Sequence, residues 1–259
     1  MTDYVEVDEA RVMPGLRVVV QPSVPGPWSE SAKAILFVKK LKYVKARQEL
    51  LGANLPLISW SAQASSPVVV WENEPPRSTW IEQLFLFERL APTPRLIPEK
   101  MEERSEMFGL AVEILGENGF VWNRRHLIVR DFAERPDLEE EVREKLVVFG
   151  RKYWYSDEAK AKAPLRCAEI MQMLTARLRK QRVAGSPYLV GSRLSAADIY
   201  WACAAALLRP LPEEKCSMPP LFRECYVNSD PIVNDALDPI LLEHRDFIYL
   251  EHLELPMKL

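Results

Sequence analysis

The sequence is short of the residues that build small or specialised folds. Four cysteines (Cys167, Cys203, Cys216 and Cys225) stand among 259 residues, and none is in C-x-x-C spacing. No zinc ribbon or dithiol motif is readable, and so few cysteines in so long a chain do not make a disulfide framework. Only three histidines occur (His126, His244 and His252), so a metal centre has few soft ligands, and structural or surface roles are expected for all three. Even the longest apolar stretch falls far short of the roughly 20 residues that cross a bilayer. An excess of positive charge is missing too: 34 Lys+Arg face 37 Asp+Glu, for a formal charge of −3. A basic surface is the usual footprint of nucleic-acid binding, so that function is not expected. The acidic start, Met1 to Arg11, lacks the charged-then-apolar pattern of a signal peptide, and a reduced, cytoplasmic location is expected. No internal repeat or low-complexity segment is visible.

What is present is an ordinary globular composition, 48% hydrophobic and 27% charged. At about 150 residues per domain the length allows one or two domains, with enough chain for a sizeable core. Leu16 to Val20 (LRVVV) reads as a buried strand after the Pro14-Gly15 turn. The proline-rich segment Gln21 to Trp28 is a loop, and a helix is expected to start near Pro27. Tyr43 to Gln48 reads as a second strand, and Pro67 to Trp71 as a third. Glu49 to Ala64 is loosely helical or irregular. Arg77 to Leu90 has helical spacing, with Ser78 as its expected cap. Ala91 to Pro98 is the best linker candidate. Beyond it no strand pattern appears. Helices are expected over Glu99–Gly116, Leu138–Tyr155, Asp157–Val183, Ser195–Leu208, Pro219–Asn228 and Ala236–Leu253. The expectation is an α/β domain over 1–91 followed by an all-helical domain over 99–259.

The most informative segment is Ser186 to Ala202 (SPYLVGSRLSAADIYWA). Ser195 and Asp198 form an S-x-x-D pattern ahead of an apolar run. Serine can accept from the N–H three residues on, while the acid reaches back to the serine N–H. A folding cap is favoured over a catalytic Ser–Asp pair, because no histidine lies near in sequence and the spacing is that of a cap. The string Y-L-V-G-x-x-L-S-A-A-D-I resembles the C-terminal domain of the glutathione transferase superfamily. The likeness spans roughly Leu16 to Asn228. It implies a thioredoxin-like domain, a short linker and a helical domain. The motif is specific for the fold and weak for the reaction.

The resemblance places glutathione against three landmarks. The first is the loop into the first long helix, where a thiolate sits by a helix N-terminus that lowers its pKa. The pattern S/C-P-F-x-x-R puts Gly26 where the catalytic Ser or Cys usually stands. Ser29, with Ser31 and Ser23 nearby, is then the candidate hydroxyl, alongside backbone N–H groups of Trp28 and Ser29. The second is Ser66-Pro67, which in the family is a cis bond whose preceding residue pairs with the cysteinyl part of glutathione. The third is Arg77-Ser78, where the family has an acid–serine pair for the γ-glutamyl end. Ser78 keeps a hydroxyl for a carboxylate, whereas Arg77 would repel the γ-glutamyl ammonium and attract a carboxylate. The family's apolar acceptor site points to Met101, Met107, Phe108, Val112 and Leu115, with Trp28, Trp122, Tyr153 and Trp154 as further candidates. The tail, Leu242 to Leu259, extends past the family's typical last helices, and His244–Asp246 reads as an exposed charged face. The resemblance implies a homodimer. Three functions stay open: a transferase joining glutathione to a hydrophobic electrophile, a non-catalytic ligand- or protein-binding member, and an isomerase or lyase using glutathione.

Overall fold

A computed structural model describes residues 4–259, so the first three residues of the acidic start lie outside the described residues. The chain divides into two compact units: Met1–Leu96 with Pro212–Pro219 and Leu250–Leu259, and Ile97–Leu211 with Pro220–Tyr249.

The first unit is built on a four-stranded sheet. Its elements are β1 (Tyr4–Val5), α1 (Val7–Val12), β2 (Leu16–Val20), α2 (Pro27–Val38), β3 (Val44–Arg47), α3 (Leu55–Ser61), β4 (Val68–Trp71) and α4 (Trp80–Leu90). Strand order is β1-β3-β2-β4. β1 and β2 both run parallel to β3, whereas β4 runs antiparallel to β2, with Val18 opposite Val69. β2 is buried along its whole length, Arg17 included, and its Val18–Val20 end is the β-branched run of a strand covered on both faces. One sheet face closes over Val7, Ala10, Val19, Ala46, Leu57, Val68 and Val70. α2 and α4 pack on each other.

The short β1 and α1 were not expected from the sequence. α4 starts three residues later than expected, and its cap is Thr79 rather than Ser78. Thr79 Oγ1 accepts from Glu82 N–H at 3.3 Å while Glu82 reaches back to Thr79 N–H at 3.2 Å. A capping box needs its acid three residues on, and only Thr79 has one.

The proline-rich stretch expected as a linker is stapled to the first unit as far as Leu96. Lys39 Nζ donates to the carbonyls of Ala91 and Pro94 at 2.7 and 2.8 Å, and pairs with Glu88 at 2.7 Å. Glu88 in turn accepts from Leu96 N–H at 2.9 Å. The end of the chain also belongs here rather than to the helical unit. Met257 N–H donates to Lys215 O at 2.8 Å, and Lys33 Nζ to Lys258 O at 2.7 Å.

Among the described residues the second unit holds helices and no strand. It comprises α5 (Met101–Leu115), α6 (Phe120–Ala133), α7 (Glu140–Arg151), α8 (Asp157–Val183), α9 (Ala196–Ala204) with a 3-10 turn (Ala205–Leu207), α10 (Pro220–Tyr226), α11 (Pro231–Asp235) and α12 (Pro239–His252), whose last turn belongs to the first unit. α6 escaped the sequence reading because Asn123 and Arg124 interrupt its apolar stripe, although both are buried. Arg124 donates twice to Leu207 O, at 2.8 and 3.0 Å. Every residue of α9 is buried. Its Trp201 meets Phe120 edge-on, with ring centroids 5.1 Å apart.

Candidate functional site

α2 starts at Pro27, with Gly26 as an N-cap that offers no side chain. First-turn amides of a helix, Ser29's among them, have no intrahelical acceptor and form the positive end of the dipole. Of the three nearby hydroxyls, the structure singles out Ser29. Ser31 Oγ is spent on Pro27 O at 2.6 Å, and Ser23 sits in an exposed left-handed turn at φ 63°. Ser29 lies in the first turn, and its Oγ is 3.4 Å from Ser66 Oγ. Two candidates separated by 37 positions are thus brought together. Ser66 also donates to Gln48 Oε1 at 2.8 Å. The Ser66–Pro67 peptide is cis.

Gln83 holds this corner from below. Its amide nitrogen donates to Pro67 O and to Arg77 O, each at 3.1 Å. Arg77 also exchanges two backbone hydrogen bonds with Val69, at 2.8 and 2.9 Å. The Pro67 end of β4 and the entry to α4 are thereby one bonded unit. Arg77's guanidinium turns to Glu74 at 2.6 Å, and Arg89 takes the same carboxylate. Glu74 is held below its usual carboxylate range by these hydrogen bonds from Arg89 and Arg77. The cation expected to meet an ammonium is therefore already paired. Ser78 is half-buried just ahead of α4, and Trp28 half-buried beside Ser29.

A buried ion pair lies next to Ser29. Glu30 and Lys33 meet at 2.8 Å, both shielded from solvent. Burial pushes the Glu30 carboxyl up, against the pull of Lys33. Tyr4 is pushed up to about 12 by burial, with Glu30 adding to the effect.

In the second unit, Asp198 accepts from Ser195 N–H at 2.8 Å, Ser195 Oγ at 2.7 Å and Leu189 N–H at 2.7 Å. The pair is the expected cap. A histidine does arrive, from α12: His244 Nε2 lies 3.2 Å from Asp198 Oδ1, and its Nδ1 3.0 Å from Pro187 O. His244 and Arg245 are buried, not on an exposed face. Of the apolar acceptor candidates on α5, Met107 and Leu115 are core residues, whereas Met101 and Val112 are exposed. Trp122 and Tyr153 pack edge-to-face at 5.2 Å.

Sequence reasoning missed Gln48, Gln83, Glu74 and the Thr79 cap. Gln83 had a signal, because it shares a helical stripe with Leu86 and Phe87. Gln48 had none beyond closing a strand.

Comparison with known proteins agrees with this architecture. The family model of the glutathione S-transferase C-terminal domain matches residues 132–223. No curated protein matches the chain by sequence. Among solved structures, a Tau class glutathione S-transferase from mango, Mangifera indica, is 18% identical at a TM-score of 0.52, covering 91% of this chain and 98% of its own. The beta-etherase LigF of Sphingobium sp. strain SYK-6 is 16% identical at a TM-score of 0.57, covering 86% and 98%. A glutathione S-transferase from Methylobacillus flagellatus, with glutathione bound, is 11% identical at a TM-score of 0.62, covering 90% and 94%.

Proposed function

Because the chain belongs to the glutathione transferase superfamily, we propose that its first unit binds glutathione and activates the thiol at the N-terminus of α2 for transfer to a hydrophobic electrophile. The observation that carries this reading is the meeting of Ser29 with Ser66 beside the cis Ser66–Pro67 bond, at a helix start without a side-chain cap. In this reading the α2 dipole and the Ser29 hydroxyl stabilise the thiolate. The Ser66 main chain pairs with the cysteinyl part, and Ser78 and Trp28 line the peptide. The thiolate sulfur attacks an electrophilic carbon; an S–C bond forms, and either a halide leaves with the bonding pair or an epoxide C–O bond breaks and its oxygen takes up a proton. Glu74 is shared by Arg77 and Arg89, so the γ-glutamyl ammonium meets a paired guanidinium rather than a bare one. A homodimer fits the exposed Ile81 and Phe85, one turn apart on α4. Four cysteines, none of them in a disulfide, fit a reducing cytoplasm.

Calorimetry with glutathione, followed by turnover of aryl halides and epoxides, tests the reading. Heat of binding and turnover are expected. Ser29→Ala is expected to lower kcat by about a hundredfold to a thousandfold, the scale of losing one donor to a developing anion. The absence of both heat and turnover removes the proposal.

A second reading, a non-catalytic member that binds a ligand or partner, is favoured by two facts. Gly26 supplies no hydroxyl at the helix cap, and Ser29 is only 4% exposed. Retention on glutathione resin with no turnover, unchanged by Ser29→Ala, is its signature.

A further inference from the structure

Gln48 directly follows β3 and is half-buried. Its amide nitrogen faces two main-chain carbonyls, Glu49 O at 3.2 Å and Ala64 O at 3.4 Å. Carbonyls only accept, so the nitrogen must lie on that side and the oxygen on the other. Oε1 therefore faces Ser66 Oγ at 2.8 Å, and it too can only accept. The single Ser66 proton is committed to Gln48. Toward Ser29, 3.4 Å away, Ser66 can then offer only lone pairs. The direction of the chain is fixed from the far end: two backbone carbonyls orient the amide, the amide orients Ser66, and Ser66 leaves Ser29 as donor.

We propose that Gln48 is a positioning residue which, by drawing the Ser66 proton away, leaves the Ser29 hydroxyl as the one proton in this chain free to turn toward a ligand sulfur. At 3.4 Å the Ser29–Ser66 contact is long for an O–H···O bond, so little is lost when Ser29 swings to a stronger, anionic acceptor. The inference rests on the proposed glutathione reading for the identity of that sulfur. The sense of the hydroxyl chain does not.

The test compares Gln48→Leu, Gln48→Glu, Ser66→Ala and the double variant Gln48→Leu/Ser66→Ala. The readout is the pKa of the bound glutathione thiol, followed by ultraviolet thiolate absorbance. In Gln48→Leu the Ser66 proton is released to Ser29, the chain runs Ser66 to Ser29 to sulfur, and hydrogen bonds in series reinforce one another. The thiol pKa is expected to fall by about half a unit, roughly a threefold gain in thiolate at a pH below it. Gln48→Glu keeps an acceptor toward Ser66 but adds a negative charge near the sulfur, so its thiol pKa is expected to rise rather than fall. In the Ser66→Ala background Gln48→Leu is expected to change nothing, because its only route to Ser29 is gone. A shift that survives in that background, or no shift in the single variant, overturns the inference. A general loosening of structure would not vanish with Ser66. The carbonyls left by Gln48→Leu lie at the surface, where water replaces the amide.

A second measurement separates the two readings. In the unliganded protein, the Gln48 side-chain amide resonances are expected to move in Ser66→Ala. Amide shift without any heat from glutathione removes the glutathione reading and, with it, the role toward sulfur. Heat from glutathione without the thiol shift removes the Gln48 role alone.

Discussion

At Gln83 one carboxamide nitrogen satisfies two main-chain oxygens, those of Pro67 and Arg77. Gln83→Leu keeps the packing volume but takes the donor from Pro67 O, whereas Arg77 O keeps its bond from Val69 N–H. A loss of about 1–3 kcal/mol is expected, the usual desolvation cost of a buried unpaired polar group. Denaturant melts measure it, and an unchanged midpoint would show that another donor reaches Pro67 O. Residue roles of this kind were only partly legible. Ser29, Ser66 and Pro67 came from matching a pattern, and the structure brings the two serines together. Arg77 was read as a free cation because Glu74 and Arg89 close on it only after the chain has turned. Gln48 carried no local pattern at all, since its meaning lies in contacts with Glu49, Ala64 and Ser66.

At the scale of elements, caps were the clearest signals. Ser195 and Asp198 bound α9 as their spacing requires. Asp198 is fully buried and accepts three hydrogen bonds. Asp198→Ala is expected to cost about 2–4 kcal/mol, because a cap and a buried donor set are lost together. Asp198→Asn, which keeps one acceptor oxygen, is expected to cost less. Paired thermal melts check the order, and equal melting points for the three proteins would contradict it. α8 matched its expected bounds because Ser156 caps a long amphipathic pattern that continues through Pro164. α6 was missed for the opposite reason: Arg124 and Asn123 are satisfied inside the unit by partners that sequence spacing cannot show. Likewise His244 reaches Asp198 from a helix much further along the chain.

For the molecule as a whole, the succession of an α/β half and a helical half was legible from periodicity, since strands repeat every two residues and helices every 3.6. The course of the chain's end was not, because nothing local marks Lys215, Met257 and Lys258 as neighbours of the first unit. That end lies over the buried Glu30–Lys33 pair. Burial raises the Glu30 carboxyl above its unfolded value, so the folded state holds that proton more tightly. The resulting stability is fully present below the ordinary carboxylate range and is lost as pH rises through the folded value. Glu30→Gln should remove this slope, which pH-dependent melts of both proteins would reveal; identical slopes would sink the assignment. The same arrangement leaves a built-in clock. Lys33 is a primary amine sealed beneath the carbonyl of Lys258. Acylating reagents that decorate outward lysines at once must wait at this nitrogen for the terminal segment to lift, so its labelling rate reads how often the strap opens.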